Sequence, residues 1–257
     1  MTTSGLAAGV AFEDFRSAGS TGAPLLLVHG AGGTHRHWPA ALRELPGRRV
    51  MALDLPGHGR SPGPGEKSVA AFAARVVALL DALEVRTAVV AGHSMGGAIA
   101  LTLALQAPAR VAGLVLVGTG ARLRVTTAVL TTTADPALLA QAARGMIEWS
   151  FAPGASEALL GPCVEGLLAN APGVAHDDFA ACNAFDVMPR LGEVAVPALV
   201  ICGEEDRLTP PKYSEFLRAG LRGARLLRIP GAGHMVMLEK PEPVARAVSA
   251  FLGELAR

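Results

Sequence analysis

The chain has 257 residues, a formal net charge of +1 and charges of both signs interspersed along its length, so nothing in it marks a partner such as nucleic acid or an anionic membrane surface. That length suffices for one α/β domain with an insertion, and Gly, Pro or charge interrupts every apolar run before it reaches a membrane-spanning length. Three cysteines without CxxC spacing, Cys163, Cys182 and Cys202, argue for free thiols in a reducing, cytoplasmic setting rather than a disulfide framework or a metal site.

Residues 1–10 lack a basic segment and a continuous apolar stretch, so no signal peptide is expected. Residues 11–16 alternate weakly and read as an opening antiparallel strand at the sheet edge. The apolar run 24–28 leads into His29-Gly30-Ala31-Gly32-Gly33, and 49–53 leads into a loop from Asp54 to Ser61. Val69, Phe72, Val76, Val77, Leu80 and Leu83 fall at helical spacing. A strand at 87–92 runs into Gly92-His93-Ser94-Met95-Gly96 and then a helix-forming stretch, 97–105. The wholly apolar segment 111–117 suits a central strand covered on both faces.

From 121 to 190 the alternation stops. The stretch reads as mostly helical, broken at Pro136, Pro153, Pro162 and Pro172, and it carries Trp149, Phe151, Phe179 and Phe185. Strands resume at 197–202, before Gly203-Glu204-Glu205-Asp206, and at 224–229, before Gly231-Ala232-Gly233-His234. Phe216, Leu217 and Leu221 mark one more helix, and Val244, Val248, Phe251 and Leu252 mark the last. This order, with seven strands legible, predicts an α/β fold with a mostly parallel sheet of seven or eight strands. Its core spans 1–120 and 191–257, around a mostly helical insertion at 121–190.

The chemistry lies in the loops after the strands. In a strand, G-x-S-x-G, helix context the serine occupies a strained turn, and side chains at 92 and 96 would collide with neighbouring backbone. The helix N-terminus favours negative charge developing nearby. A serine hydroxyl needs a base, and the imidazole needs a carboxylate to fix its tautomer. Ser94, Asp206 and His234 occur in that chain order, each after a strand. Glu204 and Glu205 compete for the acid's place on the same loop. No HExxH or other metal spacing occurs, and no GxGxxG opens a helix, so no metal or nucleotide cofactor is implied.

With these motifs and the His29 to Gly33 and Asp54 to Ser61 loops, the chain resembles the α/β-hydrolase superfamily over nearly its whole length, in particular serine carboxylesterase-like members with a helical cap. The resemblance favours Asp206 as the acid and implies Ser94 as nucleophile and His234 as base. It places the oxyanion hole at the N–H groups of Met95 and Ala31, with His29 supporting that loop. Trp149, Phe151, Phe179, Phe185 and Met235 are candidate pocket residues.

Serine at 94 excludes the relatives that carry Asp there, haloalkane dehalogenases and epoxide hydrolases. His93 and Met235 look more like general esterases than like carbon–carbon hydrolases, where Asn and Trp are expected. Cleavage of small to medium uncharged or aromatic esters by way of an acyl-enzyme is therefore the expected activity, with water and a small molecule as the reaction partners. Lactone or ring-cleavage chemistry is the alternative, with Arg144 or Arg190 holding a substrate carboxylate. A ligand receptor that keeps the triad is the alternative of another class. Asp54 and Arg60 are expected to pair structurally and Trp38 to pack where a helix begins; the oligomeric state is not readable.

Overall fold

The computed structural model describes residues 1–255. Eight strands form one sheet: β1 (Thr2–Ala7), β2 (Val10–Arg16), β3 (Leu25–Val28), β4 (Arg49–Asp54), β5 (Ala88–His93), β6 (Val111–Val117), β7 (Ala198–Gly203) and β8 (Arg225–Ile229). Their spatial order is β1-β2-β4-β3-β5-β6-β7-β8, with β2 antiparallel to both neighbours and every other pairing parallel. The edge is thus β1, not residues 11–16. β1 is exposed and carries no alternating apolar pattern to announce it. It joins β2 through Ala8 and Gly9, both at positive φ, the conformation of a two-residue hairpin turn.

The central strands bury both faces, as their unbroken apolar runs require. Leu26, Val28, Val90, Leu114, Leu116 and Val200 pack on one side. Leu25, Leu27, Val89, Val115, Val117 and Ile201 pack on the other. The first side is covered by α2 (Val69–Ala82) and α3 (Met95–Gln106), the second by α1 (Ala40–Arg43) and, near the chain end, α10 (Pro241–Leu255). Trp38, immediately before α1, is fully buried.

Between β6 and β7 stand four helices, α4 (Thr127–Ala134), α5 (Pro136–Ser150), α6 (Glu157–Ala169) and α7 (Val174–Ala184). Pro136 opens α5, where its missing N–H costs nothing. Pro162, by contrast, lies inside α6 and does not break it. The insertion leaves and returns at one point: Arg122 bridges Asp186, and Val187 N–H donates to Ala121 O at 2.7 Å. The remaining helices are α8 (Pro211–Gly220) and α9 (Val236–Glu239). In α8 Leu217 is buried while Phe216 faces solvent, against its expected place in the core. No single helix among the described residues is long and apolar enough to cross a membrane.

Strand order reverses at β3, whose successor β4 lies on one side and β5 on the other. A crevice forms beyond the carboxyl ends of strands at such a point. The register Val28↔Gly92 brings the loops after β3 and β5 level with each other.

Candidate active site

Ser94 stands between β5 and α3 at φ 52°, ψ −116°, one of three non-glycine residues with positive φ among the described residues. Such a conformation costs on the order of 1–3 kcal/mol and persists only where its surroundings enforce it. They do so through close packing. A Cβ on Gly92 would run into the Gly96 carbonyl, one on Gly96 into Val28 O, and one on Gly30 would come within 3.0 Å of Ser94 Cβ.

His234 follows β8. Its N–H donates to Ser150 O at 2.8 Å, so the end of α5 seats the loop. Glu239 adds a second tie, accepting from Gly233 N and Ala152 N at 2.9 Å each. His234 Nδ1 lies 2.9 Å from Asp206 Oδ2. That carboxylate accepts from the Leu208 and Thr209 N–H groups through Oδ1 and from the Thr209 hydroxyl through Oδ2. Burial works against its charge, but the imidazole and these donors hold Asp206 below the usual carboxylate range. Glu204 instead pairs with Arg228 on the surface, and Glu205 is exposed. With Nδ1–H committed to Asp206, His234 presents Nε2 as the free base. Ser94 and His234 line one cavity. The Ser94 hydroxyl makes no hydrogen bond to the imidazole here, a contact that often tightens only in a complex.

Among the described residues, the Ala31 and Met95 N–H groups donate to no protein acceptor. Met95 opens α3, where the first N–H groups lack intrahelical partners. The direction of Ala31 N–H is set from the far side of its own peptide. Gly30 O accepts from Gly33 N at 3.0 Å and from His29 Nδ1 at 2.8 Å, and a planar trans peptide then fixes the opposite N–H. His29 Nε2 accepts from Leu55 N at 2.9 Å, so the ring is neutral with its proton on Nδ1. Burial, with His58 nearby, holds His29 well below the usual histidine range.

The cavity measures about 540 Å³, and its lining, among the described residues, includes no Asp, Glu, Lys or Arg. Its polar side chains are Ser94, Ser150, Gln141 and three histidines, His37, His93 and His234. Burial, with His58 nearby, pushes His37 down to about 4. Burial beside His234 likewise keeps His93 well below its ordinary value. His93 Nε2 donates to His234 O at 3.1 Å, while its Nδ1 is buried without a partner.

Of the expected pocket residues, Trp149, Phe179 and Met235 line the cavity. Phe151 and Phe185 do not. Phe151 turns inward behind the His234 loop and is wholly buried in the core. Phe185 packs on the opposite side of the sheet, against the α2–α3 layer. Arg144 pairs with Glu148 and Glu157, and Arg190 with Glu193, all on the surface, so neither reaches the cavity. Asp54 takes Arg60 and His35 as partners. All three cysteines are buried and free, and burial pushes Cys163 up to about 11.

His37, Thr209 and Glu239 escaped sequence reasoning. Asp206-x-x-Thr209 carried a usable signal, since an Asp carboxylate accepts from the backbone N–H groups two and three residues on, and a Thr there can add its hydroxyl to the same carboxylate. The other two carried none.

Comparison with known proteins agrees with this architecture. A dihydrolipoyllysine-residue acetyltransferase component of an acetoin cleaving system from Pseudomonas putida is 36% identical over 93% of this chain, which spans 65% of that relative's length. A putative carbamate hydrolase RutD from Variovorax paradoxus is 32% identical, covering 91% of this chain and 93% of its own. The solved structure of a thermophilic esterase is 33% identical with a TM-score of 0.84, covering 99% of this chain and 98% of that one. The sequence profile of the alpha/beta hydrolase family matches residues 25–247, and the chain belongs to that family.

Proposed function

We propose that this chain is a serine hydrolase of small to medium, uncharged carboxylic esters, acting in the cytoplasm through an acyl-enzyme. The observation that carries this reading is the convergence of Ser94, the His234–Asp206 pair and the unpartnered Ala31 N–H on one cavity without charged walls, with the unpartnered Met95 N–H next to Ser94 along the chain. Ser94 Oγ attacks the ester carbonyl while His234 Nε2 takes its proton. The Ala31 and Met95 N–H groups receive the oxyanion, and the alcohol leaves with the proton from His234. Water activated by the same nitrogen then forms a second tetrahedral species, whose collapse releases the acid and restores Ser94 Oγ–H. The relatives named above include an acetyltransferase component, a protein named putative carbamate hydrolase and an esterase, which supports chemistry at a carbonyl carbon. With Arg144 and Arg190 paired on the surface, neither supplies the carboxylate site that the lactone or ring-cleavage alternative required.

The test is a time course on p-nitrophenyl esters of increasing acyl length beside Ser94→Ala. Turnover that falls on the order of a million-fold in the variant supports the reading, and the optimal chain length sizes the cavity. Saturable binding of esters without turnover in the parent overturns it in favour of a receptor-like protein.

A further inference from the structure

The inserted helices grip the oxyanion loop at Gly32, from both sides. Gly32 N–H donates to Asp178 Oδ2 of α7 at 2.8 Å. Gly32 O accepts from Asn170 Nδ2, between α6 and α7, at 3.0 Å. Gly32 has φ +65°, and a Cβ there would run into Leu167 of α6.

Two consequences follow from peptide planarity. The peptide whose carbonyl takes the Asn170 hydrogen bond carries Gly33 N–H on its other side. That N–H donates to Gly30 O, whose own peptide carries Ala31 N–H. The result is one unbroken line: Asn170 amide to Gly32 carbonyl, Gly33 N–H to Gly30 carbonyl, Ala31 N–H into the cavity. Each link accepts at oxygen and is thereby a stronger donor at nitrogen.

Asp178 holds the peptide between these two. It is fully buried, and the same Oδ2 accepts from His58 Nε2 at 2.7 Å. His58 Nδ1 faces Pro56 O at 3.0 Å. With an acceptor at each nitrogen the ring carries both protons, so the contact is a fully buried ion pair. Asp178 Oδ1 has no partner. Stability alone does not favour such an arrangement, because an apolar pair of similar volume is often as good or better.

We propose that Asn170 and Asp178 are positioning residues through which the inserted helices align and polarise the Ala31 N–H donor. Seating of these helices and assembly of the oxyanion hole are then one event. The inference rests on the proposed acyl-transfer reading, which places the oxyanion at Ala31 N–H.

The test compares the parent with Asn170→Leu, which keeps the volume and removes the donor, and with Asp178→Asn, using thermal unfolding to confirm that each folds. Ester kinetics and the rate of Ser94 phosphonylation by a fluorophosphonate are read together with amide exchange at Gly33. Asn170→Leu should lower kcat and the phosphonylation rate by a similar factor, about tenfold for one donor. KM should stay within about twofold, and Gly33 exchange should quicken. A folded Asn170→Leu with parent rates overturns the proposal. A parent inert to both ester and fluorophosphonate removes the acyl-transfer reading instead. The grip on the loop is then judged by exchange alone, and unchanged Gly33 protection in both variants overturns it.

Discussion

Ser94 carries two demands that pull apart: its hydroxyl must face the cavity, and its backbone must stay at positive φ to put it there. Glycine accepts that conformation without penalty. Ser94→Gly should therefore abolish turnover yet raise stability by about 1 kcal/mol, the released strain less the extra chain entropy of glycine. Ser94→Ala, which keeps the Cβ, should not. Urea unfolding of both variants separates the two. Asp206 makes the complementary case. Asp206→Asn keeps the shape but presents an amide to His234 Nδ1, and kcat should fall roughly ten-thousand-fold through the wrong tautomer. Glu204→Gln, on a surface pair with Arg228, should leave kcat within twofold. If steady-state kinetics rank these two the other way, the acid has been misassigned.

At the scale of elements, the aromatic residues of the insertion divide by which way their segment turns. Phe151 is wholly buried behind the His234 loop, whereas Trp149 is 54% exposed at the cavity, with the Arg207 guanidinium 4.1 Å from its ring centre. Phe151→Ala should cost about 3–5 kcal/mol of stability. Trp149→Ala should cost little stability and act through KM for bulky esters. Denaturant midpoints beside KM across an acyl series check the pair. The family resemblance placed both in one pocket, because it says that the insertion covers the site and composition says only that aromatics are present, not which face of a helix end they leave from. Strands buried on both faces were legible, since their apolar runs admit few other readings. β1 was not, because its exposed residues carry no pattern and its pairing with β2 supplies the order. The Ser94 and Asp206 loops were legible because each follows such a strand, β5 or β7, whereas the His234 loop follows β8, an edge strand buried fully only at Ile229, and was legible from the run 224–229 and the glycines after it. The ties from the insertion were not: Asn170 and Asp178 lie 138 and 146 residues from Gly32 along the chain, and only the fold brings them together.

At the scale of the molecule, the His58–Asp178 pair joins the inserted helices to the core, and its proton makes that junction depend on pH. Burial opposes charge on His58, but the Asp178 carboxylate and the Pro56 and Leu55 backbone outweigh it and raise His58 above its ordinary value. Folding then binds this proton more tightly than the unfolded chain does. Its contribution is complete below the unfolded histidine value of about 6.5 and is lost as pH rises through the higher folded value. His29, His37 and His93 act in the opposite sense. Buried and held low, they favour the folded chain more as pH rises towards 6.5 and add nothing further above it. Asp206, lowered on folding, contributes above about 4 and loses that contribution only in acid. On the alkaline side of 6.5 these four are silent, and the His58 contribution stands apart from theirs. Thermal unfolding from pH 6 to 9 should thus show the parent and Asp178→Asn furthest apart at pH 6, with the gap closing as pH rises. A gap that stays constant over that range means that His58 is neutral throughout, and that the inserted helices are held to the core by packing and uncharged hydrogen bonds alone.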